Sequence, residues 1–168
     1  MSAPDDDFDA LYRVGAPRLV RQLLPLVRDR QEAADVVQEA FARAYARWST
    51  VSGYDAPEAW VRSVAVRLAV SRWRRHRNSL VAWRRHGAPD DLPGASPDAV
   101  ALVAALRRLP EVQRVAVVLH HLVDLSVEQV AAETGVPTGT VKTRLARGRA
   151  ALALLLREQS PSLGGPGA

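Results

Sequence analysis

The sequence predicts an all-α fold: two small helical domains joined by a flexible linker, the C-terminal one carrying a helix-turn-helix. Three observations predict it. Apolar residues recur at helical spacing along most of the chain, and no stretch alternates as a strand would. The run HGAPDDLPGASP, His86 to Pro97, breaks that periodicity with the residues that favour turns and linkers. Near the C-terminus, TGVPTGTVK (Thr134 to Lys142) sets a glycine and a proline between two further helical runs.

The chain has 168 residues, enough for one ordinary domain or two small helical ones. At 48% hydrophobic it is too apolar to be disordered, and with 5% aromatic residues its helices must pack through small and branched side chains. The absence of cysteine excludes a disulfide framework, a thiolate zinc site and a cysteine nucleophile. MSAPDDDFDA is acidic, the opposite of a secretory signal, and no apolar run approaches the length of a membrane span. A soluble, cytoplasmic protein without membrane insertion is the expectation.

The first helix is expected from Asp5 to about Val27, with Phe8, Leu11, Tyr12, Leu19 and Leu23 as its apolar set and Pro17 kinking or interrupting it. The second, Gln31 to Trp48, sets Ala33, Val37, Ala40, Phe41, Ala44 and Trp48 on one face. A turn-like segment, Ser49 to Pro57, ends it. The third helix, Glu58 to about Arg77, carries two apolar stripes: Trp60, Val61, Val64 and Leu68 on one side, Val66, Val70 and Trp73 on the other. A helix apolar on two sides is normally buried between neighbours, so this one should be the centre of its domain. Residues 5–78 thus form the first domain and 79–97 a linker. Residues 98–158 form the second domain, and 159–168 a disordered tail. Within the second domain helices are expected at Asp98–Arg108, Glu111–Leu122, Val127–Thr134 and Thr138–Arg157, with Ser96 or Asp98 and Ser126 as N-caps.

Charge is distributed unevenly. No acid occurs between Ala59 and Pro89, where Arg62, Arg67, Arg72, Arg74, Arg75, Arg77, Arg84 and Arg85 fall; none occurs between Pro137 and Arg157, where Lys142, Arg144, Arg147, Arg149 and Arg157 fall. Ordinary solvated helices mix both signs, so two one-sign segments point to two contacts with a polyanion.

LSVEQVAAETGVPTGTVKTRLARGR, Leu125 to Arg149, has the pattern of a helix-turn-helix. Gly135 stands where a tight turn needs positive φ, Val136 plugs the angle between helices, and Pro137 or Thr138 opens the last helix. Val141, Leu145, Gly148, Leu152 and Leu155 share one narrow arc, which turns Lys142, Thr143, Ala146 and Arg147 outward. Side chains at the N-terminal end of such a helix meet base edges in the major groove, and Thr138, Thr140, Lys142, Thr143 and Arg144 have the chemistry for it. Gly139 permits close backbone approach, and Arg147 and Arg149 suit phosphate.

The second helix presents Asp35, Gln38, Glu39, Ala42, Arg43 and Ala46 outward. Asp35 and Glu39 are a like-charge pair four residues apart, which weakens an isolated helix, and the two alanines leave the face flat. Such a face fits a basic protein partner.

DVVQEAFARAYARW (Asp35 to Trp48) resembles the polymerase-binding helix of sigma factors of the extracytoplasmic-function group of the sigma-70 family. The segment Leu109 to Leu152, with its GTVK-x-R-L-x-R core at Gly139 to Arg147, resembles that group's C-terminal domain. The likeness covers about Phe8 to Leu156 and is nearest to a compact actinobacterial subgroup. It implies an alternative sigma factor that binds core RNA polymerase and directs initiation at −10 and −35 elements, with no catalytic activity and no cofactor or metal.

Position by position, it implies that Asp35, Gln38, Glu39, Ala42 and Arg43 dock on the clamp coiled coil of the largest polymerase subunit. Ser52, Gly53, Tyr54, Asp55, Trp60, Arg62, Arg67 and Arg74 would open the −10 element and hold an extruded base. Such a pocket needs stacking and hydrogen-bonding partners, which Tyr54, Trp60, Ser52 and Asp55 can supply; Trp60 also fits a plain core position. Thr138, Gly139, Thr140, Lys142, Thr143, Arg144 and Arg147 would read the −35 duplex. The C-terminal domain would meet the polymerase flap region, the linker would thread toward the active-site cleft, and an anti-sigma factor is an implied partner. His120 and His121 stand where the family shows a basic-aromatic stretch; a vicinal pair cannot face one way on a helix, so they read as packing or phosphate-edge residues.

Two other functions fit less of the chain. A free-standing helix-turn-helix regulator would leave the Asp35–Trp48 helix and the tryptophan-bearing basic helix without work. A nuclease would need clustered carboxylates for metal, and the close pairs Asp5–Asp7 and Asp90–Asp91 lie in segments expected to be disordered.

Overall fold

The computed structural model describes residues 4–77 and 94–159, and every regular element among them is helical. Helix α1 (Pro4–Leu23) runs through Pro17 without a break and starts close to the expected Asp5, so Asp6 and Asp7 lie on this helix and not in a disordered segment. It stops instead before Pro25, which has no amide hydrogen to give and disfavours α geometry in the residue ahead of it; a single 3-10 turn, Leu24–Leu26, follows. Helix α2 (Arg30–Tyr45) is N-capped by Asp29, whose Oδ1 accepts from the Glu32 amide at 2.8 Å. The expected turn after it begins with a short helix, α3 (Trp48–Val51), which buries Trp48 and Val51. Helix α4 (Pro57–Arg77) then crosses the domain.

The apolar set assigned to α2 is buried throughout. Phe8 of α1 meets Phe41, Tyr45 and Trp48 edge-on, with ring centroids 5.0–6.1 Å apart. Tyr12 departs from the expectation: its ring meets Phe41 but stays 44% exposed. Of the α4 stripes, Val66, Val70 and Trp73 are buried with Val61, while Trp60, Val64 and Leu68 are half-buried against the same core.

The second half contains α5 (Pro97–Arg108), α6 (Glu111–Val117), a π turn (Val118–Leu122), α7 (Val127–Thr134) and α8 (Thr138–Gln159). Ser96, not Asp98, caps α5. Ser126 and Gln129 form a reciprocal capping box on α7, satisfying two amides that the helix start leaves free. Gly135 closes α7 in the left-handed conformation at φ 70°. Helix α6 lies tightly on α8: a Cβ at Gly148 would come within 2.7 Å of a Val117 methyl, so glycine is what lets the two backbones approach.

The halves share one continuous core. Helices α5 and α6 lie against the Leu24–Leu26 turn, and α4 touches α7. Arg107 of α5 donates to the Leu24 and Arg28 carbonyls at 3.3 and 3.4 Å. The two predicted domains are therefore closed on one another. Most of the expected linker and tail, with Arg84, Arg85, Asp90 and Asp91, lies outside the described residues.

Candidate polymerase and promoter interfaces

Three surfaces gather the residues singled out in the sequence. On α2, Asp35, Gln38, Ala42 and Arg43 are exposed and Glu39 is half-exposed. Gln31 Nε2 donates to Asp35 Oδ1 at 2.9 Å, and Arg43 lies 2.7 Å from Glu39 Oε1. Arg72 reaches across from α4 to the other Glu39 oxygen at 3.4 Å. Both Glu39 oxygens and one Asp35 oxygen are thus held by neighbours in the same chain, through largely exposed contacts that contribute little in water.

Beneath this face lies a buried polar link that sequence reasoning missed. Glu32, 6% exposed, accepts from the Arg28 amide at 2.8 Å and from His76 Nε2 at 2.9 Å. Burial pushes its carboxyl upward, but the Arg28 amide, the His76 ring and the Arg28 guanidinium outweigh that and hold it below the ordinary carboxylate range. The link ties the C-terminal end of α4 to the start of α2, and local pattern cannot distinguish Glu32 from an exposed first-turn acid.

The second surface runs from the turn before α4 along that helix. Ser52, Gly53, Tyr54 and Asp55 are exposed there, and Trp60 sits half-buried. Arg62 lines a groove of about 300 Å³ between α4 and α7 with Arg67, Gln129 and Glu133. Arg67 and Arg74 are exposed yet engaged: Arg67 Nε lies 3.3 Å from Glu133 Oε1, and Arg74 Nη2 donates to the Glu133 carbonyl at 2.7 Å.

The third surface is the N-terminal half of α8. Thr138, Gly139, Lys142, Thr143 and Arg147 are exposed, Thr140 and Arg144 half-buried, while Val141, Leu145 and Gly148 face the core. Thr143 Oγ1 donates back to the Gly139 carbonyl at 3.1 Å. A groove of about 360 Å³ runs between this helix and Val112 and Gln113 of α6. Those two residues were not singled out in the sequence; the signal would have been Gly148, which permits α6 to pack so close. Arg114 of the same helix is buried and donates to the Arg107 carbonyl at 3.0 Å, and burial pushes its guanidinium down to about 10.

His120 and His121 fall in the π turn with their rings edge-on, centroids 4.7 Å apart, but differ in their other contacts. His120 Nδ1 donates to the Leu125 carbonyl at 2.7 Å, a packing role, whereas His121 is exposed. Burial, then the charges of His120 and Arg149, pushes the His121 ring below its usual value. Among the described residues no three His, Asp or Glu side chains cluster as metal ligands, and no helix is long and apolar enough to cross a membrane.

Two helical halves, an acidic face on α2 and a basic helix-turn-helix define a DNA-binding class of protein. Residues 11–79 match the family description "Sigma-70 region 2" and residues 99–152 match "Sigma-70, region 4". The RNA polymerase sigma-E factor of Streptomyces coelicolor is 32% identical over 148 residues, covering 87% of this chain and 84% of its own. The ECF RNA polymerase sigma factor SigM of Mycobacterium tuberculosis is 35% identical over 151 residues, covering 89% and 76%. Among solved structures, the sigma factor RpoE bound to the anti-sigma factor NepR from Bartonella quintana superposes with a TM-score of 0.65 at 26% identity, covering 92% of this chain and 99% of its own. CnrH bound to the cytosolic domain of CnrY gives 0.56 at 25% identity, covering 91% and 89%.

The chain belongs to the extracytoplasmic-function group of the sigma-70 family. It is an alternative sigma factor, which binds core RNA polymerase and directs it to promoter DNA, and its family consists of non-catalytic initiation factors.

Proposed function

We propose that the three surfaces divide the sigma work. Residues 5–78 form the unit that docks on polymerase and opens the −10 element; residues 98–158 form the unit that reads −35. Asp35, Gln38, Glu39, Ala42 and Arg43 offer carboxylates and a flat alanine floor to a basic clamp. Ser52 to Asp55 with Trp60 receive an extruded base, and Arg62, Arg67 and Arg74 follow the strand's phosphates. Thr138 to Arg147 enter the major groove, where Arg144 addresses guanine acceptors and Arg147 the backbone. The chain works in the cytoplasm and has no catalytic activity of its own. It meets an anti-sigma factor, a partner of the kind seen in the complex of RpoE with NepR.

The observation that carries this reading is the coexistence on one chain of an exposed acidic α2 face and an acid-free α8 face. An operator-binding regulator has no use for the first. The test is core-polymerase binding and in-vitro transcription from a fragmented genomic library. The double variant Asp35→Lys/Glu39→Lys should lose core binding and all sigma-dependent initiation while keeping its helicity. Retention of both would refute the assigned docking face.

A further inference from the structure

Arg67 and Arg74 stand two helical turns apart on one side of α4, about 10 Å along its axis. In the structure a single residue of the other half satisfies both. Glu133 gives its carboxylate to Arg67 and its main-chain carbonyl to Arg74. That carbonyl belongs to the last turn of α7, where the helix dipole places partial negative charge, so the tip of α7 presents a compact anion to a basic stripe. Arg74 also lies against the helix-turn-helix turn itself, 3.5 Å from where a Gly135 Cβ would be.

We propose that the tip of α7 is an internal stand-in for DNA phosphate, and that the free chain uses it to cover the −10 face of α4. The proposal rests on the reading of α4 as the −10 surface given above. Its consequence is an asymmetric autoinhibition. In the closed chain Arg67 and Arg74 are committed to Glu133, while Lys142, Thr143 and Arg147 of α8 remain exposed. Single-strand binding through α4 is suppressed, and duplex binding through α8 is not.

Among the described residues two polar clasps flank the shared apolar core, Glu133 on α4 and Arg107 on the Leu24–Leu26 turn and the Arg28 carbonyl. The Glu133 contacts are exposed, of the kind that salt screens and a competing polyanion displaces, whereas the Arg107 contact to Leu24 is part-buried. A clasp of that strength suits a switch that promoter DNA and polymerase open together.

The full chain tests this directly. It has no cysteine, so spin labels can be placed at Thr50→Cys and Ala150→Cys, both exposed and on opposite halves. Pulsed dipolar spectroscopy then reports closure. Anisotropy with a labelled 20-nucleotide single strand of mixed sequence, and with its duplex, reports binding. Glu133→Gln should lengthen the label distance and raise single-strand affinity by about two- to five-fold, with duplex affinity changed far less. Glu128→Gln makes the same charge change on the same helix and should do neither. Arg107→Ala is the sharper variant, because it removes a positive charge and should nevertheless raise single-strand affinity by opening the second clasp. Circular dichroism establishes that each variant is folded.

An opened Glu133→Gln chain without a gain in single-strand affinity would overturn the proposal, as would a wild-type distance already equal to that of the variants. Adding Arg67→Ala and Arg74→Ala to Glu133→Gln separates the two readings. If those changes leave single-strand affinity where it was, the −10 assignment of α4 is what fails, and the autoinhibition falls with it.

Discussion

The two basic faces of this protein are built alike in sequence and differently in space. On α8 the cationic side chains project from a helix whose other side is fixed by Val141, Leu145 and Gly148, and they stay exposed. On α4 the arginines sit on a helix packed by α1, α2 and α7, and their charges are shared out: Arg72 to Glu39, Arg67 and Arg74 to Glu133. An acid-free stretch in the sequence therefore identifies a surface that attracts anions. Which anion it holds in the folded chain depends on residues far away in sequence.

The same contrast runs through stability. The α8 half is set by local devices: a capping box, a left-handed glycine and one close helix contact. The α1–α4 half is set by aromatic edge contacts and a buried carboxylate, all between elements. The largest expected effect belongs to the latter kind. Phe41→Ala should destabilise by ~3–5 kcal/mol through lost burial and a residual void, against ~1–3 kcal/mol for Gly148→Ala, which overpacks the α6–α8 contact. Denaturant titration followed by far-UV circular dichroism, which reports the helices of both halves, measures both. Because the halves share one core, each variant should move a single transition; two separate transitions would break the picture of a closed chain.

Ser126→Ala removes one side of the α7 capping box and should cost ~1 kcal/mol, with Ser126→Asn recovering most of it. Equal loss from both substitutions would mean that the serine acts through packing and not through the amide it accepts from.

The smallest effect concerns Glu32. Its carboxyl titrates lower in the folded chain than in the unfolded one, so the unfolded state binds the extra proton as pH falls. Its contribution is therefore complete above the ordinary carboxylate range and disappears as pH drops through the lowered folded value. Wild type minus Glu32→Gln, followed by thermal melts from pH 7 to pH 3, should show a difference that shrinks toward the acid end. A difference that grows there would contradict the assignment.

Much of this was legible in the sequence, and the reason is periodicity. The order of the long helices, the buried faces of α2 and α8, the Ser126 cap and the Gly135 turn all follow from rules spanning a few residues. Where those rules compete, the sequence misleads. Pro17 is expected to kink or interrupt α1, but a proline inside a helix with enough tertiary support is tolerated, and the helix stops only ahead of Pro25. The Ser49–Pro57 turn held a helical turn because Trp48 and Val51 had a core to enter. Glu32, Arg114 and Glu133 were not legible at all. An acid or arginine at a helix surface looks the same whether its partner is water or a side chain dozens of residues away.

Footprinting the assembled holoenzyme on a promoter tests most directly that α4 and α8 serve different DNA contacts. Hydroxyl-radical protection should show two patches, and permanganate should mark strand opening at the downstream one. Arg144→Ala should weaken the upstream patch, with a loss of ~1–3 kcal/mol that disappears when the −35 sequence is scrambled. Arg74→Ala should instead reduce permanganate reactivity on every promoter and flatten the salt dependence. If both substitutions weakened the same patch, or if Arg74→Ala left opening intact, the division of labour between the two basic faces would be wrong.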